Sequence, residues 1–272
     1  MSDFLVFDRD EIERLRDDLA KNLEPGKRRR FKKLFSAALG GVPWVGGLMT
    51  GLATLRDAER QAEVNELQRQ WLETHAEKLL ALGQVLADVT ARLDEFGDEV
   101  RDRIESEEYL AIVRLAFRAW DQADSQEKRD LLRKLLANAG AANLTGDDIV
   151  KMFIQWIDRY NEIHFKVIRV IYQFPGSSRA EIWDDIHGVE VREDSAEADL
   201  FKLLIRDLST GGVIRQVRKT DDQGRFLRKR TRTRQISPYT MSAFDGDKPY
   251  VLTALGQQFV HYVMDEVVPR IG

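Results

Sequence analysis

The 272-residue chain contains no cysteine, which excludes disulfides, thiolate metal sites and cysteine nucleophiles. It has four histidines (His75, His164, His187 and His261), scattered and never at the spacing that sets two ligands on one helix face. Six prolines argue against long disordered linkers. Gly26-Lys27 has no phosphate-cradling glycine loop before it, and no nucleophile elbow or dinucleotide fingerprint occurs. Asp184, Asp185 and His187 come nearest to a metal set, yet hard cations need more converging oxygens, so they read as a solvated helix face. No catalytic residue, metal or cofactor is expected, and the chain reads as non-enzymatic.

What is present points to a soluble, helix-rich protein. A hydrophobic fraction of 43% supplies real cores, and 272 residues leave room for two modest domains. The formal net charge of −4 excludes a globally basic nucleic-acid packer while hiding strong local segregation. Absence of cysteine fits a cytoplasmic location, and the highly charged first thirty-odd residues make a secretory leader unexpected.

The periodicity predicts a helical domain over residues 1–160. Residues 8–23 form a short amphipathic helix with Ile12, Leu15 and Leu19 on one face, stopped by Pro25-Gly26. Six basic residues then fall in seven positions: Lys27, Arg28, Arg29, Arg30, Lys32 and Lys33. Leu34 to Leu55 follows, 22 residues without a charge, with five glycines and Pro43. A long helix over 56–104 carries Leu72, His75, Leu79, Leu82, Leu86, Val89, Leu93, Phe96 and Val100 at alternating steps of three and four. Such a stripe packs along another helix of the chain or of a second copy, a homodimer through residues 72–100. Gly97 marks a candidate break. Three shorter helices fill 107–160, with faces made by Tyr109, Val113, Phe117 and Trp120, then Leu131, Leu132, Leu135 and Leu136, then Ile149, Phe153, Trp156, Ile157 and Tyr160.

The uncharged segment is long enough for a hydrocarbon core, but Gly40-Gly41, Pro43 and Gly46-Gly47 would break its middle. Two short apolar helices joined near Pro43 fit it better. That hairpin, 34–55, has three readings. It is buried in the bundle; or it inserts conditionally into membrane, with Lys27, Arg28, Arg29, Arg30, Lys32 and Lys33 drawn to anionic lipid and Trp44 near the tip; or it is an oligomer surface built on Gly47 and Gly51.

Residues 161–272 change pattern to helix, helix, helix, hairpin, helix. The first helix carries Phe165, Ile168, Val170 and Ile171 and ends at Pro175-Gly176. Ser178 with Glu181 makes a capping box for the second, with Ile182, Trp183 and Ile186, and Gly188 closes it. Asp194 with Glu197 resembles a capping box for the third, with Leu200, Leu203, Leu204 and Leu208 facing inward, ended by Gly211-Gly212. Val213 to Thr220 and Arg225 to Arg232 read as strands around the turn Asp221-Asp222-Gln223-Gly224. Tyr250 to Leu252 is a short extended segment, and Thr253 caps a last helix through Val267.

The helix ending "DLSTGGVIRQ", the basic hairpin after it and "LTALG" before the last helix together resemble winged-helix regulators of the MarR and PadR type. The resemblance covers about residues 163–267 and implies an α+β winged-helix domain. It places the third helix in the DNA major groove and the hairpin along the backbone. The expected fold class is therefore mainly α, a helical bundle with a long heptad-patterned helix followed by that domain.

Charge sharpens and complicates the expectation. Residues 215–234 hold nine basic residues, Arg215, Arg218, Lys219, Arg225, Arg228, Lys229, Arg230, Arg232 and Arg234, against two acidic ones. Such a tract suits phosphate contacts. Residues 184–199, leading into the third helix, hold seven acids against Arg192. Lys202 and Arg206 are the cations on that helix. The domain binds nucleic acid, mainly without sequence preference, or it contacts a partner protein through an acidic face and a basic wing.

Residues 105–140, with Trp120 and then Leu135-Leu136-Ala137-Asn138-Ala139, are similar to the core of the abortive-infection alpha family of bacterial phage-defence proteins. That resemblance implies an anti-phage role and transfers no catalytic residue. Two roles follow as expectations. One is a binding or sensing protein whose helical half assembles it or relays a signal. The other is a membrane-active effector, associated with the inner membrane, whose hairpin 34–55 is restrained by the winged helix.

Overall fold

The basic run and the start of the apolar segment after it form one helix. Pro25 opens it, at a position where its missing N–H costs nothing and its fixed φ is already helical. The helix continues to Gly41, burying Phe31, Leu34, Phe35, Ala37 and Ala38. The computed structural model describes residues 9–21, 23, 25–42, 66–93, 98–141, 145–189, 191–217, 242–246 and 248–264. The chain divides into two compact units, the first drawn from residues up to Arg159 and the second from Tyr160–Met264. It is mainly helical.

The first unit contains α1 (Arg9–Lys21), α2 (Pro25–Gly41), α3 (Glu66–Leu93), α4 (Asp98–Glu105), α5 (Glu107–Gln122), α6 (Gln126–Ala141) and α7 (Asp147–Arg159). α5 lies at its centre, packed against α2, α6 and α7. Ser106 caps α5 by accepting the Tyr109 amide at 3.2 Å, and Glu107 and Glu108 favour its positive end. The Tyr109 hydroxyl is buried and donates to the Leu136 carbonyl at 2.8 Å, tying α5 to α6. Burial raises its pKa well above the ordinary phenol value.

α2 and α5 approach so closely at Gly41 that a Cβ there would stand 2.1 Å from the Arg114 carbonyl oxygen. No side chain can occupy that position without separating the helices. On α3 the stripe Leu79, Leu82, Leu86, Val89 and Leu93 is buried within the unit, where α3 packs on α2 and α6. Those positions therefore face the same chain. The side chains of Leu72 and His75, and all of Phe96, lie outside the described residues.

Two sequence expectations change here. The long helix 56–104 is two helices, α3 and α4, and residues 56–65 and 94–97 lie outside the described residues. The first arm of the hairpin 34–55 is the continuation of a helix begun in the basic run, because Phe31, Leu34 and Phe35 share the apolar face of that helix. Residues 43–55, including Trp44, Gly47 and Gly51, lie outside the described residues.

The second unit contains α8 (Glu162–Gln173), α9 (Arg179–His187), α10 (Ala196–Thr210), β1 (Ile214–Gln216), β2 (Tyr250–Leu252) and α11 (Ala254–Val263). Phe165, Ile168, Phe201, Leu204, Leu208, Phe259 and Val263 form its core. The Ser178–Glu181 capping box is complete and Gly188 closes α9 at φ +63°. Thr253 caps α11 by accepting the Gly256 amide, and a Cβ on Gly256 would lie 2.2 Å from the Val213 carbonyl oxygen. The glycine of "LTALG" thus lets α11 lie directly against the chain entering β1.

β1 and β2 pair antiparallel, Ile214 with Leu252, Arg215 with Val251 and Gln216 with Tyr250. The Val217 amide extends the ladder to Pro249 at 2.8 Å. The predicted extended segment 250–252 is therefore the partner of β1, and the predicted strand Arg225–Arg232 lies outside the described residues. α10 also departs from expectation. Its N-cap is Ser195, which accepts the Ala198 amide at 3.1 Å, because Asp194 is held by Arg192 instead. Its buried face is Ala198, Phe201, Leu204, Ile205 and Leu208, while Leu200 and Leu203 remain 48% and 38% exposed.

Candidate interaction surfaces

Two surfaces concentrate the residues singled out from the sequence: the β1–β2 hairpin base with α10, and the cationic face of α2. At the hairpin base, the segment returning toward β2 is pinned to the helices. The Glu193 carboxylate accepts from the Ser242 hydroxyl and from the Ala243 amide at 2.8 Å. Burial opposes its ionised form, but those hydrogen bonds, the Phe244 amide and the Lys202 charge together hold its pKa below the usual carboxylate value. Phe244 packs edge-on against Trp183 and stacks with Phe201, at centroid distances of 5.1 and 6.1 Å. Arg179 joins the same segment, donating to the Ser242 carbonyl at 3.2 Å and the Tyr250 hydroxyl at 3.1 Å.

Two of the acids that lead into α10, Glu193 and Asp194, are therefore engaged within the unit, while Asp184 and Asp185 are exposed. Asp194 accepts two bonds from Arg192, at 2.6 and 2.8 Å, and its pKa is lowered chiefly by them. Ser178 amide and hydroxyl groups lower that of Glu181 in the same way. Lys202 is half-buried, 3.5 Å from Asp199 and 3.9 Å from Glu193, so its charge is met inside the unit. Arg206 is exposed on α10 and Arg215 is exposed on the outer face of β1. The other predicted nucleic-acid contacts, Arg218, Lys219, Arg225, Arg228, Lys229, Arg230, Arg232 and Arg234, lie outside the described residues. Glu193 and Phe244 were not foreseen as anchors, and their partners stand about fifty residues away in sequence.

On α2 the cations meet groups of the same chain. Arg28 donates to the Lys21 and Leu23 carbonyls at 2.9 and 2.8 Å, satisfying the end of α1. Lys32 lies 3.0 Å from Asp17 of α1 and lowers its pKa. Arg29 and Arg30 approach the Glu105 carboxylate at 3.5 and 3.9 Å. Lys33 donates to the Glu105 carbonyl at 2.6 Å, at the negative end of α4. Lys27 is half-buried.

Among the described residues no three histidines or carboxylates converge on a point that would hold a metal ion, and no helix is long and apolar enough to cross a membrane. Asp184, Asp185 and His187 are exposed on α9, with the His187 ring 4.1 Å from that of Trp183. Comparison with protein-family models, curated proteins and solved structures finds no match to the chain.

Proposed function

We propose that this is a non-enzymatic binding and sensing protein whose second unit is a winged helix that holds nucleic acid by its phosphates. The observation that carries this reading is the β1–β2 register. It closes the base of a hairpin at Val217 and Pro249, and the sequence between those residues supplies Arg218, Lys219, Arg225, Arg228, Lys229, Arg230, Arg232 and Arg234. Arg215 on β1 adds to them. Engagement of Glu193 and Asp194 by neighbours removes much of the repulsion that the acidic lead-in would exert on a phosphate backbone. With Lys202 held by carboxylates, α10 offers Arg206 alone, so contact through the hairpin is largely independent of base sequence.

The test is retention of random duplex DNA by the purified protein over a salt series. Changing Arg228, Lys229 and Arg230 to Glu is expected to abolish retention at low salt and to flatten the salt slope by about three contacts' worth. Unchanged retention would remove the phosphate-clamp reading.

The exposed Leu200 and Leu203 favour a second reading for the same unit, contact with a partner protein through α10. Burial of Leu34, Phe35, Ala37, Ala38 and Val42 in the first unit supports a core role for that stretch over the membrane-active alternative. That alternative now depends on residues 43–55, and liposome leakage that is lost in Trp44→Lys would be its sign. A place in bacterial phage defence, as the abortive-infection resemblance suggests, gives the helical unit the task of assembly or signal relay.

A further inference from the structure

α10 carries a stripe that the fold leaves unused. Ala196, Asp199, Leu203, Arg206 and Thr210 follow alternating steps of three and four and all are exposed, on the side of the helix away from Phe201, Leu204 and Leu208. Leu203 sits at the middle of the stripe and Leu200 beside it. The ends of the stripe differ in sign, with Asp199 in the first turn and Arg206 seven residues later. Asp199 touches Lys202 at 3.5 Å, but its side chain remains 75% exposed, so part of its carboxylate is open to another donor.

These features fit one kind of partner. If a second α10 lies alongside and antiparallel, Asp199 of each copy comes opposite Arg206 of the other, and the two Leu203 side chains meet between the ion pairs. The parallel arrangement would set Asp199 against Asp199 and Arg206 against Arg206. Antiparallel alignment also opposes the two helix dipoles. A patch that complements itself under a two-fold rotation is what an isologous dimer requires. A phosphate backbone suits the stripe poorly, because its one cation stands among Asp199 and Asp207.

We propose that α10 is a homodimerisation helix, docking antiparallel on α10 of a second copy of this chain. The inference does not depend on nucleic-acid binding, since it uses none of the hairpin cations. It also differs from pairing through residues 72–100, where the stripe from Leu79 to Leu93 is already buried within the chain.

Sedimentation equilibrium of the full chain tests it. The wild type should show a concentration-dependent dimer, and Leu203→Glu should weaken association by at least ~10-fold while leaving the melting temperature of the dilute, monomeric protein near that of wild type. Arg206→Asp should weaken it as well, and adding Asp199→Arg in the same chain should restore it. The absence of cysteine gives a second readout of orientation. A mixture of Asp199→Cys and Arg206→Cys proteins should form disulfide-linked heterodimers under mild oxidation, while Asp199→Cys alone should not. A wild type that stays monomeric at all concentrations overturns the proposal and leaves the stripe to an unrelated partner. So does a dimer indifferent to both Leu203→Glu and Arg206→Asp, or efficient linking of Asp199→Cys to itself.

Discussion

Two stretches of this chain are strongly basic, and the comparison shows how little a run of positive charge says by itself. On α2, Arg28, Arg29, Arg30, Lys32 and Lys33 reach Asp17, Glu105 and the carbonyl ends of α1 and α4. Their charges are met by groups of the same unit, and their stems lie along a helix whose other face is Phe31, Leu34 and Phe35. In the tract 215–234 the only acids are Asp221 and Asp222, and Glu193 and Asp194 of the α9–α10 connection are engaged elsewhere. One basic stretch is matched by its own chain; the other, of which Arg215 is described and exposed, is the one proposed to meet an anion from outside.

Exchanging the two roles in mutants gives the sharpest contrast. Arg228, Lys229 and Arg230 changed together to Glu should lower duplex retention by about 100-fold or more at low salt. The melting temperature should stay within about a degree or two of wild type. Changing Arg29, Arg30 and Lys33 to Glu should do the reverse. Three new carboxylates would face Glu105 and the negative end of α4, costing ~2–4 kcal/mol of stability while leaving the salt slope of retention unchanged. Chemical denaturation of both triple mutants, run beside the binding series, decides it. Equal losses of binding in the two would erase the distinction between the two basic stretches.

Much of the second unit was legible because its signals are local. Ser178 with Glu181, Gly188, Gly212 at φ +76° and Thr253 each act within a few residues of themselves, and the helices begin and end where those residues stand. What could not be read locally was direction. α10 has enough apolar residues to populate two faces, so Leu200 and Leu203 looked inward until Phe201 and Ile205 were seen to fill the core. The N-cap moved by one residue for a similar reason, since Asp194 had a stronger claim from Arg192 two positions away. On α2 the charge run disguised a helix start, and the partners that explain its cations are contributed by Asp17 and by Glu105, the latter more than seventy residues on. The β1–β2 pairing, across about half that separation, was hidden in the same way.

Smaller effects refine the contrast by asking how firmly each stretch is held. Glu193 bridges the α9–α10 connection to Ser242 and Ala243, so Glu193→Gln should weaken the hairpin base by ~1–2 kcal/mol, measured by urea unfolding followed through tryptophan fluorescence. Because the folded pKa of Glu193 lies below its ordinary value, its contribution is complete above the normal glutamate range and disappears as pH falls through the depressed value. Wild type and Glu193→Gln should therefore differ in stability at pH 7 and converge once the pH falls below the depressed pKa of Glu193.

The smallest change falls on the other stretch. Lys32 and Asp17 join α2 to α1 at 3.0 Å, but both side chains are more than two-fifths exposed. Water and salt screen such a pair, and holding two mobile side chains costs entropy, so Asp17→Asn should lose no more than ~0.5 kcal/mol. That loss should shrink further in 0.5 M salt, where the Debye length is only about 4 Å. The buried contacts of Phe31, Leu34 and Phe35 are indifferent to salt by comparison. A loss of several kcal/mol from Asp17→Asn would mean that charge, rather than the apolar face, holds α2 in the first unit. The matched basic stretch would then be as sensitive to ionic strength as the one proposed to meet nucleic acid, and salt would no longer tell them apart.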